Sequence, residues 1–308
     1  MERNFVNKVS FHWAILGLLA VAIVWGTSYG VSKQILSHVS VPQLLFLRFL
    51  ISCLILFTIA VNKGQISHFI ANQKQYLQVG VSTGLILSCI FITETWAVKL
   101  AQAGQVAVLI SLCVLFTPIL EKLWLKVQLP KGIFLLCIVG VTGMILIAEP
   151  HQVALRLDLG VGLVLVAAFL RGVMVVACRK AFTSTTFHVE LITLVQLATV
   201  TVMSLGLVLL DKNSPSMISV LGSLDTHGWI SLLYLALCCT LMAFFIQNYA
   251  VKHLPASQAS LLMGTEPLFG LLFATVFLQE TMSLFQWIGC FIVICTTIAA
   301  CYKFSKQN

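Results

Sequence analysis

The sequence predicts an all-α integral membrane protein of ten transmembrane helices, arranged as two inverted-topology five-helix repeats. Three observations carry this expectation. The 308 residues are 59% hydrophobic and 9% charged, with a mean hydropathy of +1.02, which is too apolar for a water-soluble chain. Apolar runs approaching the ~20 residues that cross a bilayer fall near 13–33, 43–61, 77–98, 105–122, 132–148, 160–178, 188–210, 228–251, 258–278 and 283–302. Third, the chain repeats itself: Trp96-Ala97-Val98-Lys99 followed by Ala103 and Gln105 matches Tyr249-Ala250-Val251-Lys252 followed by Ala256 and Gln258, 153 residues later. Five of the nine positions from Ala97 to Gln105 are identical at that offset, so the chain reads as a tandem duplication.

Residues 1–12 form a short polar head. The first run is too long, and lacks the small-residue cleavage site, to be a removable signal, so it is expected as a retained span. It carries Trp25-Gly26-Thr27-Ser28-Tyr29-Gly30, where small and hydroxyl residues permit close helix approach and the aromatics can line a pocket or sit at an interface. Gly172 follows Gly26 by 146 residues, and Arg179 follows Lys33 by the same interval, which gives the first span a mate as well. The expected units are residues 1–153 and 154–308.

Five spans per unit is an odd number, so the second unit starts on the opposite side of the membrane and the repeats are inverted. Inverted repeats mark secondary transporters, which expose a midplane site to each side in turn. The offset grows from 146 to 153, seven residues that fit the loop 211–225, expected to be exposed and dispensable for the fold.

Charges inside spans are costly and point to partners or function. Arg48 in span 2 and Glu94 in span 3 lie at similar depth and are expected to form a structural ion pair; their mates, Leu194 and Gln247, are both uncharged. By the same logic Arg171 in span 6 pairs with Glu266 in span 9, with mates Trp25 and Cys113. That pair reads equally as a structural bridge or as a substrate or proton site. Pro118 and Pro267 are expected to kink spans 4 and 9, one turn out of register with each other. Glu121-Lys122 and Glu190 are expected as solvated charges at span ends, and Glu149, Asp158, Asp211, Asp225 and Glu280 as loop or cap acids.

The net charge of +8 comes from basic residues scattered singly, which excludes a nucleic-acid patch. With the N-terminus in the cytoplasm, twelve Lys and Arg fall in inside segments and four (Lys33, Lys99, Arg156 and Lys212) outside, so both termini are expected to be cytoplasmic. The ten cysteines sit in or beside spans without a CxxC and read as packing residues. The seven histidines lie in loops or at span ends. No cofactor or metal site is expected, and intramembrane proton relays fall to carboxylates.

Several short motifs then line up along nearly the whole chain: Trp25-Gly26 to Tyr29, Leu47-Arg48-Phe49, Phe116-Thr117-Pro118, and a closing segment of Tyr249-Ala250, Pro255-Ala256, Ala259, Glu266-Pro267-Leu268-Phe269, Phe277-Leu278-Gln279-Glu280 and Trp287-Ile288-Gly289. In this order they resemble the EamA-type transporters of the drug/metabolite transporter superfamily. The resemblance implies a ten-span carrier of the bacterial inner membrane with a central cavity. Members mostly export amino acids or other small metabolites, by proton coupling, facilitation or exchange. Two positions depart from the pattern: Lys126-Val127-Gln128 stands where an acid matching Glu280 belongs, and Arg171 is not a family signature.

The expected function is therefore a secondary transporter, an exporter, of a small polar metabolite such as an amino acid. Arg171 and Glu266 are expected to meet the ligand's carboxylate and amine, or Glu266 to carry a coupling proton. Trp25, Tyr29, Trp96, Tyr234, Gln247 and Tyr249 are expected around the cavity. Its partners are the small-molecule substrate, protons and the lipid bilayer; the sequence leaves oligomeric state open. An exporter of hydrophobic cations is the alternative, because aromatic faces and one carboxylate suffice for it. A membrane-embedded enzyme is disfavoured, because no Ser/His/Asp set, metal cluster or phosphate-cradling loop lies in or beside the spans.

Overall fold

A computed structural model describes residues 2–101, 103–147, 159–184, 187–211, 215–277 and 282–306. All regular elements among them are helices: α1 (Glu2–Ile35), α2 (Val41–Asn62), α3 (Ile66–Ala71), α4 (Gln73–Leu100), α5 (Ala103–Ile110), α6 (Cys113–Leu125), α7 (Ile133–Ile147), α8 (Leu159–Ser184), α9 (Val189–Leu210), α10 (Met217–Ser223), α11 (Thr226–Ala236), α12 (Ala243–His253), α13 (Ala256–Met263), α14 (Glu266–Phe277) and α15 (Leu284–Ser305). A π-helical turn, Leu237–Met242, joins α11 to α12. Among the described residues, eight stretches are long and apolar enough to cross a membrane, against the ten expected, and Ile133–Ile147 is a shorter apolar helix. Helices dominate because hydrocarbon leaves every backbone polar group to be satisfied within the segment. Local sequence marks the starts: Ser283 and Gln286 exchange side-chain and backbone bonds of 3.0 and 3.3 Å at the head of α15, a capping box.

Packing between the two halves comes in matched pairs. Helix α1 packs on α12 and α14, and its mate α8 packs on α4 and α6; α2 pairs with α9, and α7 with α15. Exchanging the halves leaves this set unchanged, as an approximate two-fold relation requires. Lys33 at the end of α1 donates to the carbonyl oxygens of Val98 (2.8 Å), Lys99 (3.0 Å) and Ala101 (2.7 Å). Arg179, near the end of α8, donates to those of Val251 (3.0 Å) and Lys252 (2.8 Å). Val251 and Lys252 are the mates of Val98 and Lys99, so one cation closes the C-terminus of α4 and its counterpart that of α12.

The two broken helices also match. Span 4 is interrupted at Ser111 and Leu112, between α5 and α6, and the run expected at 258–278 at Gly264 and Thr265, between α13 and α14. These are equivalent positions at the 153-residue offset. Pro118 and Pro267, expected to kink these spans, both follow the breaks, by six and two residues. Pro267 sits in the first turn of α14, where a helix has no use for its missing N–H, and Pro118 lies within α6 after the break. Helix α1 approaches α14 closely beside the second break: a Cβ on Gly26 would lie 2.6 Å from the carbonyl oxygen of Glu266 and 2.8 Å from the nitrogen of Gly270.

Two further expectations change. The loop 211–225 is not wholly exposed: it contains α10, whose Val220 is 1% exposed, and Gln43 donates to the carbonyl oxygen of Pro215 at 2.6 Å. Glu121 is not a solvated end charge. At 2% exposure its carboxylate accepts from the backbone nitrogens of Ala256 and Ser257, both at 2.8 Å, and from the Ser257 hydroxyl. A carboxylate from α6 thus caps α13, where the helix dipole favours negative charge. The acids Glu149, Asp158 and Glu280 lie outside the described residues.

Candidate functional site

The site forms where α1, α4, α8, α12 and α14 converge beside the break before α14. Glu266 opens α14 and is 1% exposed. Its Oε2 accepts from the Tyr29 hydroxyl of α1 at 2.9 Å, and its Oε1 from Arg171 Nη1 of α8 at 2.9 Å. The N-terminus of α14 adds its own positive end to this carboxylate. Arg171 reaches a second acid, with Nε 3.6 Å from Glu94 Oε2 of α4, and its guanidinium stacks 4.6 Å from the Trp25 ring. The Trp25 indole is fixed in turn, donating to the carbonyl oxygen of Cys239 at 2.8 Å.

Arg171 and Glu94 face a narrow cavity with Trp25, Phe91, Phe244 and Gln247. The cavity is about 20 Å³, room for a water but not for a metabolite. Phe244 packs against Phe91 and Trp25 at ring separations of 5.6 and 5.5 Å. These six residues are three sets of repeat mates: Trp25 with Arg171 at an offset of 146, and Phe91 with Phe244 and Glu94 with Gln247 at 153. The cavity therefore lies on the approximate two-fold relation. Its polarity is nonetheless lopsided, because each equivalent pair has diverged in charge or remained aromatic.

The expected Arg48–Glu94 ion pair does not form. Arg48 donates to the Thr240 hydroxyl and, at 3.1 Å, to the Cys239 carbonyl oxygen, and stacks 4.9 Å from the Phe91 ring. The π turn supplies those acceptors: widening the helix by one residue frees carbonyls that an α-helix would consume, so a guanidinium finds dipoles and an aromatic face without an acid. Glu94 accordingly turns to Arg171.

Four expected cavity aromatics are not among the lining residues; Tyr29, bonded to Glu266, is one. Trp96 is 37% exposed with Lys99 over its ring at 5.3 Å, and Tyr249 packs on His253 at 4.6 Å. Each stands two residues after a cavity residue, Glu94 or Gln247, and two residues turn a helix by roughly 200° to the far face. Tyr234 shares a 2.6 Å hydrogen bond with the Thr27 hydroxyl and is not among the cavity-lining residues. Sequence reasoning missed Phe91 and Phe244, although applying the repeat offset to positions one helical turn before Glu94 and Gln247 finds both.

The EamA-like transporter family matches this chain twice, over residues 12–148 and again over 158–301. The chain belongs to this family. Like other members of the EamA-like transporter family it is a multi-pass membrane transporter. It is 24% identical over 304 residues to the uncharacterized transporter YoaV of Bacillus subtilis, covering 96% of this chain and 98% of that one. An uncharacterized transporter of Haemophilus influenzae is 41% identical over 61 residues, a match that spans 36% of that protein and 20% of this chain. A solved crystal structure, 16% identical, superposes with a TM-score of 0.77 over 96% of this EamA-like chain and 98% of its own, a likeness of fold.

Proposed function

We propose that this EamA-like protein is a secondary transporter for a small zwitterionic metabolite, an amino acid or a close relative, working by alternating access. The observation that carries the reading is the guanidinium of Arg171 at a closed cavity on the relation between the halves, held by Glu266 at 2.9 Å and stacked on Trp25. A guanidinium fixed in place presents a preorganised carboxylate site. Its position on the repeat relation suits a site that two equivalent half-molecules uncover in turn. A cavity of about 20 Å³ fits an occluded state, from which either face opens when the halves rock. The excess of Lys and Arg in alternate loops supports cytoplasmic termini in a bacterial inner membrane, with export as the direction the family resemblance implies.

The test is transport by the purified protein in proteoliposomes, loaded with and diluted into labelled amino acids, for the wild type and Arg171→Ala. Exchange of at least one amino acid that collapses in Arg171→Ala is the expected result. Exchange of hydrophobic cations with the same rate in both proteins would replace this reading by the drug-exporter one, which the aromatic wall of Trp25, Phe91 and Phe244 also accommodates.

A further inference from the structure

We propose that the Glu94–Arg171 contact holds the place of the substrate's own charge pair: the ligand's ammonium goes to Glu94 and its carboxylate to Arg171, while Glu266 is a positioning residue. The assignment rests on the zwitterion reading above and names the group that recognises the amine.

The two acids around Arg171 are not equivalent. Glu266 has both oxygens engaged, by Tyr29 and Arg171, and it does not line the cavity. Its bonds fix the guanidinium, as a buried, fully satisfied carboxylate does. Glu94 lines the cavity, is 8% exposed, and its Oε2 has no hydrogen-bond partner. The 3.6 Å separation from Arg171 Nε is an ion contact too long to be a hydrogen bond. A buried carboxylate oxygen without a donor is a costly feature that calls for a missing partner.

Hydrogen-bond accounting points the same way. The bonded donor of Arg171 goes to Glu266, and those of Arg48 to the π turn, so Glu94 Oε2 is left without a donor. Inserting a zwitterion between Glu94 and Arg171 replaces one loose contact by two charge-assisted hydrogen bonds and leaves the net charge unchanged. Phe91 and Phe244 line the same cavity, aromatic rings of the kind that attract an ammonium group. The partner across the repeat is Gln247, also on the cavity wall, so a carboxylate placed there would address the same space from the equivalent position.

The experiment compares the standard amino acids, their methyl esters, which keep the ammonium and lose the carboxylate, and their N-acetyl derivatives, which do the reverse. Each is scored by its shift of the melting temperature of the purified protein, which grows with ligand concentration over Kd. In the wild type, amino acids raise the melting temperature most, and esters and N-acetyl forms, each keeping one of the two charges, more weakly. In Glu94→Gln the ester response weakens by about tenfold or more in apparent affinity, the loss of one charge-assisted hydrogen bond. The double variant Glu94→Gln/Gln247→Glu restores it, which a purely structural role for Glu94 would not allow and which also serves if Glu94→Gln folds poorly. Undiminished ester and amino-acid responses in Glu94→Gln, or failure of the double variant to recover them, would overturn the assignment alone. Silence of the wild type toward every compound would overturn the zwitterion reading and the assignment with it.

Discussion

Among single residues, Glu121 has the plainest structural role. It accepts two backbone N–H bonds at the start of α13 from a position 2% exposed. Glu121→Ala leaves both donors buried without a partner, at about 1–3 kcal/mol each, so the melting temperature of the purified protein should fall sharply. Glu121→Gln keeps one accepting oxygen in place and should lose about half as much. Equal melting temperatures for wild type and Glu121→Ala would show that water or another side chain takes over the cap. In the sequence this acid sits beside Lys122 at the end of an apolar run, and nothing local separates it from a solvated end charge. Its partners are 135 and 136 residues away.

Among the elements, the cations that close α4 and α12 make a paired prediction. Lys33 and Arg179 bind equivalent carbonyls of equivalent helices, so Lys33→Ala and Arg179→Ala should both destabilise, each by about 0.3–1 kcal/mol as for a charge at a helix C-terminus. The Arg179 change should be the larger, because Arg179 is half-buried and Lys33 exposed. Chemical unfolding in detergent measures both; a loss at one site with none at the other would deny the equivalence of the two contacts. The equivalence of Lys33 and Arg179 is legible in the sequence from the offset of 146. The matched breaks at Ser111–Leu112 and Gly264–Thr265 are not: Pro267 stands two residues after the second but Pro118 six after the first, so the prolines alone do not place equivalent breaks.

For the molecule as a whole, the proposed alternating access predicts that a metabolite reaches the cavity of about 20 Å³ only when the halves move apart. Cys113, 4% exposed and lining that cavity, reports the motion. In a background with the other cysteines replaced, a small thiol reagent should modify Cys113 slowly, at the rate set by opening, and an amino acid that raises the melting temperature should slow it further. Rapid modification, unaffected by such a ligand, would mean that Cys113 is reached without passage through the cavity.

The sequence by itself determined the all-α membrane class of the fold, because hydrophobic run length is a counted property, and it showed the self-similarity between its halves. It also singled out Trp25, Arg171, Glu266 and Gln247, since a charge in an apolar run or a repeat mate is visible without coordinates. Only the tertiary structure decided the pairings. Glu94 meets Arg171, and Arg48 meets the π turn, because partner choice depends on helix rotation and on carbonyls that one extra residue per turn releases. Trp96 and Tyr249 were lost for the same reason: depth in the membrane follows from position along the chain, but which way a side chain faces follows from what its helix packs against.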